Sequence, residues 1–365
     1  MNLLIITPDL FGIGGVQRFS KQLSQALAGL AAARAQQLTI FSLVDNKDTV
    51  DPLAFGEGVT VTGFRGNKLS LILKALILIL KGPIRIYAAH LHFAPIAFML
   101  KIIRPVSTYG VHLHGIDAWY PLPFYRHLAL RKADFITSSS RYTADTAAVS
   151  NQLDLSKIRI LHPPVDPFWL EQISLKIEDQ LRSSKPEGKL ILSVARLSAW
   201  EQQKGIDLVI QAMPGLCEEF PGLKYVIIGS GDDLPRLKSL AEKMGVLEQV
   251  DFLGNVSDGE LSQYYQLCDL FIMPSKKEGL GIVFLEAMAY GKPVIAGDHC
   301  GSSDAVLAGE TGLLVPYGDV PKIQQAAAQI LGDPRKAALM GKRGKQHLLE
   351  HFTYVQFVQK VAKII

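Results

Sequence analysis

Residues 275–293 read SKKEGLGIVFLEAMAYGKP. An apolar run, Leu270-Phe271-Ile272-Met273, ends just before them. A glycine-spaced turn follows, Glu278-Gly279-Leu280-Gly281. Ile282, Leu285, Met288 and Ala289 then recur at helical spacing until Gly291 and Pro293 stop the pattern. The order is strand, tight turn, helix N-terminus. Unpaired backbone N–H groups and the helix dipole favour an anion at such a place, typically a phosphate. Glu278 lies in the turn. Glu286 is expected about two turns into the helix, where side chains tilt back toward the N-terminus. The two carboxylates bracket the anion site and could take hydroxyls on either side of a bound diphosphate, as in a nucleotide-sugar. The plain alternative is a capped helix with one surface glutamate and one satisfied glutamate, because an isolated glycine-rich turn is a weak signal.

The rest of the chain is built to match. Its 365 residues suit two domains better than one, at about 150 residues each. An apolar content of 48% with 20% charged residues indicates large cores and excludes a disordered chain. Cys217, Cys268 and Cys300 have neither metal-ligand spacing nor an even disulfide set, so a reducing, cytoplasmic compartment is expected. The opening MNLLIITPDLFGIGG lacks a basic lead and runs straight into a glycine turn. It reads as a first strand, not a signal peptide.

Charge is uneven. Residues 1–165 hold 17 Lys and Arg against 9 Asp and Glu, while the remainder holds 21 against 25. A basic half suits nucleic acid or an anionic membrane surface. No zinc-finger spacing or aromatic-basic RNA motif is present, so no nucleic-acid partner is expected.

Taken in order, residues 3–7 form an apolar strand. Gly12-Ile13-Gly14-Gly15 makes a turn, and Val16, Phe19, Leu23, Leu27 and Leu30 give a helical period. Gln17 stands where a dinucleotide fingerprint has its third glycine, which argues against an NAD site. Strands are expected at 38–44, 59–64, 86–92, 107–114 and 135–139. Residues 69–80, LSLILKALILIL, are too short to span a bilayer, which needs about 20 residues. They form either a helix buried on the sheet or one lying in a membrane interface with Lys68, Lys74 and Lys81 at the headgroups. His90, His92, His112 and His114 are expected in pairs on the faces of two strands. No carboxylate or cysteine stands at ligand spacing to complete a metal site. His114-Gly115 ends its strand, where open α/β sheets bind ligands.

A proline-rich run, 161–167, closes the first unit, and the charged segment 171–189 reads as a linker or a helix plus linker. A second unit repeats the alternation, with strands at 190–195, 224–228, 250–253, 270–273 and 294–296. A final apolar helix is expected from 352 to 365. Alternation of this kind gives parallel sheets with right-handed crossovers. Arg196 and Lys204 follow one strand end. An Arg fork and a Lys point charge beside a helix N-terminus suit a diphosphate. Two solvated basic residues in a loop are the plain alternative.

Within PSKKEGLGIVFLEAMAYGKPVIAG, the order Glu278, seven residues, Glu286 resembles the retaining glycosyltransferases of the GT-B fold, in the large group 1 (family 4-like) class. The pattern is most similar to bacterial exopolysaccharide and lipid-linked sugar transferases. The resemblance implies an α/β fold of two facing Rossmann-like domains with parallel sheets and a central cleft. Residues 1–168, with a last helix at about 351–365, would bind the acceptor, and 186–350 the nucleotide-sugar. It implies that Gly14 and Gly15 lie near the donor phosphate and that His114 contacts the donor sugar. Arg196 and Lys204 would bind the diphosphate, and Gly229 and Val256 would pack on ribose and base. Glu278, with the backbone of Gly281, Ile282 and Val283, would hold sugar and phosphate, and Glu286 the ribose.

The activity implied is transfer of a hexose, with retention, to a lipid-linked or saccharide acceptor. No cofactor and no metal are expected, and peripheral attachment to the inner face of the cytoplasmic membrane follows from the interfacial reading of 69–80. A nucleotide-sugar epimerase or hydrolase, and a non-catalytic sugar-nucleotide sensor, are the alternatives. Two departures stand out. The Arg196–Lys204 interval is long, with Trp200-Glu201-Gln202-Gln203 inside it. Gly301-Ser302-Ser303-Asp304 replaces a glycine pair and a glutamate.

Overall fold

A computed structural model of the chain describes residues 2–12, 14–46, 52–172 and 187–365. They fall into two compact units, Met1–Pro164 with Tyr354–Ile365, and Val165–Thr353.

The first unit holds a parallel sheet of β1 (Asn2–Thr7), β2 (Leu38–Ser42), β3 (Val59–Gly63), β4 (Ile84–Ala88), β5 (Thr108–Leu113), β6 (Phe135–Ser138) and β7 (Ile158–Ile160). Their order is β3-β2-β1-β4-β5-β6-β7. Leu4 pairs with Thr39 on one side and Ile86 on the other, so the chain reverses its direction of growth between β1 and β4. β1 is apolar on both faces because both are covered. Leu4 and Ile6 enter one core, and Leu3 and Ile5 the opposite one.

The second unit repeats this plan with β8 (Leu190–Val194), β9 (Lys224–Ile228), β10 (Val250–Gly254), β11 (Leu270–Met273), β12 (Val294–Gly297) and β13 (Gly312–Val315), ordered β10-β9-β8-β11-β12-β13. Leu270 and Ile272 face one core and Phe271 and Met273 the other. Full burial of a side chain the size of Phe271 contributes about 2–3 kcal/mol. In each sheet the switch point, β1/β4 or β8/β11, opens a crevice at the carboxyl ends of the strands. Those ends carry the candidate residues.

The helix Tyr354–Ile364 packs in the first unit, with Phe357 edge-on to Phe19 at 5.8 Å. Three arginines hold its last carbonyls. Arg34 donates to Ala362 (3.4 Å), Arg159 to Lys363 (3.4 Å) and Arg85 to Ile365. Cations there satisfy orphan carbonyls and complement the helix dipole.

Two expectations need correction, on His90 and His92 and on Glu286. β4 ends at Ala88, so His90 and His92 are not strand residues. His90 instead caps a 3-10 turn, Leu91–Phe93, its Nδ1 accepting from the His92 N–H at 3.2 Å. The final apolar helix expected from 352 to 365 is present as Tyr354–Ile364, separated by Phe352 and Thr353 from the helix Pro334–His351. Of the charged segment 171–189, residues 173–186 lie outside the described residues. Just before it, the short helix Pro167–Gln172 buries Trp169. Glu286 is the fifth residue of the helix Ile282–Ala289, about one turn in rather than two.

The helix Lys68–Lys81 is neither wholly buried nor polar on its outer side. Leu71, Ala75 and Ile79 form its buried stripe, while Leu69, Leu73, Ile77 and Leu80 are 66, 52, 60 and 69% exposed.

Candidate functional site

At the end of β11 the chain turns through Glu278 and reaches Gly281, which caps the helix Ile282–Ala289 in the left-handed region (φ 85°). Only glycine adopts that conformation readily. The turn presents the first helical N–H groups, of Ile282 and Val283, at the carboxyl edge of the sheet. The Glu278 carbonyl accepts from the Gly301 N–H at 2.7 Å, which ties the turn to the loop after β12.

Lys204 reaches this turn from the loop after β8. Its Nζ lies 2.6 Å from Glu278 Oε2, with both side chains largely covered. Burial works against the lysine charge. The Glu278 carboxylate, its hydrogen bond and the more distant Glu201 outweigh burial and raise the Lys204 pKa above the ordinary value. The two loops are also joined by their backbones, Lys276 N–H donating to Gln203 O at 2.8 Å.

Arg196 follows β8 directly. Its guanidinium donates through Nη2 and Nε to both carboxylate oxygens of Glu201, at 2.6 and 3.2 Å. Gly229 ends β9 at φ 135°, and its N–H donates to Gly254 O at 2.8 Å. A Cβ there would collide with the Ala195 carbonyl oxygen, so glycine lets the loops after β8 and β9 touch. Val256, after β10, packs on the apolar cluster around Tyr265 and Phe284. Glu286 is buried and accepts from the Tyr265 hydroxyl at 2.8 Å. Tyr265 stacks parallel to Tyr290 (5.8 Å) and meets Trp169 edge-on (5.6 Å). Its helix, Asp258–Leu267, starts from a Ser257–Glu260 capping box.

In the first unit, Gly14 caps and Gly15 opens the helix Gly15–Ala33 that follows β1. Gln17 donates to Asp9 across this loop at 3.2 Å. His114, one residue past β5, is fixed on every side. Its Nε2 lies 2.7 Å from Ala89 O, so Nε2 carries the proton and Nδ1 the lone pair. The Asp117 carboxylate accepts from the His114 and Gly115 N–H groups at 3.1 and 2.7 Å. Ser139 donates to His114 O at 2.8 Å, and Phe19 meets the ring edge-on at 5.2 Å.

Burial lowers the His114 pKa to about 4, the hydrogen bond to Ala89 opposing. Burial raises Asp117 to about 7 against the pull of the backbone N–H groups. His90 is lowered to about 3 by burial first, then by His114, His92 and Arg126. The four histidine rings meet as stacks and edges, and among the described residues no group of three His, Cys, Asp or Glu could hold a metal.

Arg196, Lys204, Gly229, Val256, Glu278, Gly281, Ile282, Val283 and Glu286 therefore stand at the carboxyl ends of β8 to β11. Gly14, Gly15 and His114 stand at those of β1 and β5, with Phe19 linking the helix after the glycines to His114. Sequence reasoning missed Tyr265, Asp117 and the role of Glu201. Asp117 left only a faint signal, an acidic residue two places after a strand-end glycine, because its carboxylate reaches back to the His114 and Gly115 N–H groups. Tyr265 left none.

Residues 176–347 match the family model described as glycosyl transferases group 1. A GDP-mannose-dependent alpha-(1-6)-phosphatidylinositol monomannoside mannosyltransferase of Mycolicibacterium smegmatis is 32% identical over 287 residues, 74% of each chain. The chain belongs to the group 1 glycosyltransferases. The Mycobacterium tuberculosis protein with the same description is 28% identical, over 96% of this chain and 94% of its own. Anabaena HepE, solved with UDP, superposes on this glycosyltransferase with a TM-score of 0.81 at 20% identity, covering 100% and 99% of the two chains. Sucrose-phosphate synthase of Thermosynechococcus elongatus gives 0.78 at 18%, covering 100% and 98%. At these identities the two structures bear on the fold alone, and that fold is GT-B.

Proposed function

We propose that this glycosyltransferase moves a hexose from a nucleoside-diphosphate sugar to a lipid-linked or saccharide acceptor, retaining the anomeric configuration and needing no metal. The observation that carries the reading is the Lys204–Glu278 pair at the N-terminus of the helix Ile282–Ala289. It sets a cation for phosphate beside a carboxylate for sugar hydroxyls.

In this reading the second unit binds the donor. The N–H groups of Ile282 and Val283, with Lys204 and Arg196, take the diphosphate. Glu278 holds the sugar and Glu286 the ribose. As the anomeric carbon–oxygen bond to the diphosphate breaks, negative charge grows on the leaving oxygen. Fixed cations and amide dipoles stabilise that charge, usually the largest catalytic term. The acceptor oxygen bonds the anomeric carbon on the face that the diphosphate leaves, and its proton passes to the leaving phosphate. The first unit binds the acceptor, with neutral His114 offering Nδ1 as an acceptor to a sugar hydroxyl.

A lipid-linked acceptor is supported by the phosphatidylinositol monomannoside mannosyltransferase activity of the mycobacterial relatives, and a nucleoside-diphosphate donor by HepE solved with UDP and UDP-glucose. No helix among the described residues is long and apolar enough to cross a membrane. The exposed apolar row of Lys68–Lys81 and the basic first half fit peripheral attachment to an anionic leaflet. The test is product analysis with UDP- and GDP-sugars, with and without lipid and saccharide acceptors, and with and without EDTA. Transfer to an acceptor with unchanged anomeric configuration and full activity in EDTA is the expected result. Release of free sugar alone, or inversion at the anomeric carbon, overturns it.

A further inference from the structure

The interval between Arg196 and Lys204 contains one carboxylate, Glu201. In this structure it takes the same guanidinium edge that a diphosphate would take. Nε and Nη2 of Arg196 face its two oxygens in parallel, at 3.2 and 2.6 Å. That fork grips carboxylate and phosphate alike, so the two anions exclude each other on it.

The surrounding backbone is pinned. Ala199 N–H donates to Asp232 (2.8 Å) and Glu201 N–H to Ser198 O (2.8 Å), and the Gln202 side-chain amide donates to Asp233 (3.1 Å). Lys276 N–H closes the far end on Gln203 O (2.8 Å). Glu201 itself is 24% exposed and Arg196 is 65% exposed. The carboxylate is thus the fixed partner and the arginine the arm that can swing, with no loop rearrangement needed. Each cation has one carboxylate against it, Arg196 with Glu201 and Lys204 with Glu278.

We propose that Glu201 is a built-in competitor for the diphosphate: it holds Arg196 in the empty protein, yields it to the incoming donor, and takes it back as the nucleoside diphosphate leaves. The proposal rests on the donor-site reading above. The leaving diphosphate carries more negative charge than the donor, so the two cations hold it more firmly. An internal anion able to recapture Arg196 opposes that grip and speeds release, a step that often limits turnover.

Titration calorimetry with UDP and GDP, without acceptor, tests the idea on the parent chain, Glu201→Gln, Arg196→Ala and the double variant. Glu201→Gln should bind the preferred diphosphate about 3- to 5-fold more tightly, the range of a partly exposed ion pair, and release it more slowly. In the Arg196→Ala background the same change should bring no gain. Unchanged or weaker binding by Glu201→Gln overturns the proposal, weaker binding meaning that Glu201 pre-positions Arg196 for the ligand. A gain that persists without Arg196 also overturns it, since the effect would then be a general one of charge. A parent chain that binds neither diphosphate overturns the donor-site reading and this proposal together, a result distinct from normal binding with an indifferent Glu201.

Discussion

Lys204 and Glu278, 74 positions apart, meet at 2.6 Å across the carboxyl ends of β8 and β11. Each serves two ends, pairing with the other here and facing a ligand in the proposed reaction. Removing one partner leaves a largely covered charge behind, which costs more than the net worth of the pair. Solvent reaches both side chains, so the cost is discounted to about 1–2 kcal/mol. Lys204→Ala should lower stability by about that amount, and adding Glu278→Gln should return part of it. Denaturant melts of the two single variants and the double variant measure the coupling. Strict additivity would mean that the pair is not coupled in solution.

In the proposed reaction the same pair divides binding from chemistry. Lys204→Ala should weaken nucleoside-diphosphate binding about 10-fold or more, as expected on losing a charge-assisted hydrogen bond. Glu278→Gln should leave that binding nearly intact. It should lower kcat about 100-fold, because an orienting contact on the sugar acts on the reacting centre. If Glu278→Gln lost only diphosphate affinity, sugar and phosphate sides would have to be exchanged.

Glu286 and Tyr265 form a buried contact, which in the proposed reaction lies on the ribose side, away from the bond that breaks. A ribose ligand holds ground state and transition state equally, so Glu286→Gln should raise KM and leave kcat close to its original value. Tyr265→Phe removes the donor to Glu286 Oε2. It should cost about 1–2 kcal/mol of stability and shift KM in the same direction by a smaller factor. Steady-state kinetics separates these outcomes, and a kcat effect dominating in Glu286→Gln would remove it from the ribose.

The architecture was legible because both sheets are buried on both faces. Continuous apolar strands such as 3–7 and 270–273, each followed by a turn and a helical period, leave few other folds open. Glu278 and Glu286 were legible because a strand, a glycine turn and a helix fix them locally. Their partners were not. Tyr265 reaches Glu286 from a separate helix, and its pairing depends on tertiary packing that no local pattern encodes. His90 and His92 were misplaced because period-two spacing reads equally well as strand or as a capped 3-10 turn once the strand has ended. The 69–80 run left buried and interfacial readings open because the helix is apolar on both sides.

Stability should fall on acidification through the first unit's histidines. His90, His112 and His114 titrate well below 6.5 in the folded state, chiefly through burial. Above pH 6.5 they are neutral in both states. Below it the unfolded chain takes up protons that the fold refuses, so stability falls from about pH 6.5 toward 4. Each such proton is worth about 1.4 kcal/mol per pH unit within that window. Asp117, raised to about 7, works the other way: the fold holds its proton while the unfolded chain does not, so acidification favours the fold there. His92 is lowered too, chiefly by burial, so one opposing group against four leaves a net loss. Melts at pH 7.5 and 5 should show it, and His112→Gln should flatten the dependence. An identical pH slope in parent and variant would falsify the assignment to buried histidine.

The outer face of Lys68–Lys81 supplies the last prediction. Leu69, Leu73, Ile77 and Leu80 form one exposed stripe, and Ile102, Ile103 and Val106 stand exposed at the end of the neighbouring helix Ala94–Ile103 and just beyond it. Arg104 donates to Leu80 O at 3.5 Å, which sets a guanidinium beside the stripe. Lys68 and Lys81 flank it. A stripe of leucine and isoleucine rimmed by cations suits the boundary of an anionic leaflet, where the side chains enter the acyl region and the cations stay at the headgroups. The parent chain should pellet with vesicles containing anionic lipid, and less so at high salt because screening weakens the electrostatic share. Leu73→Glu with Ile77→Glu should reduce pelleting about 10-fold or more, since each side chain forfeits about 1.5 kcal/mol or more of apolar transfer. Both positions are solvent-facing, so the melting temperature should hold. Equal pelleting of parent and variant would remove the helix from the membrane contact, and equal pelleting with neutral and anionic vesicles would remove the electrostatic share.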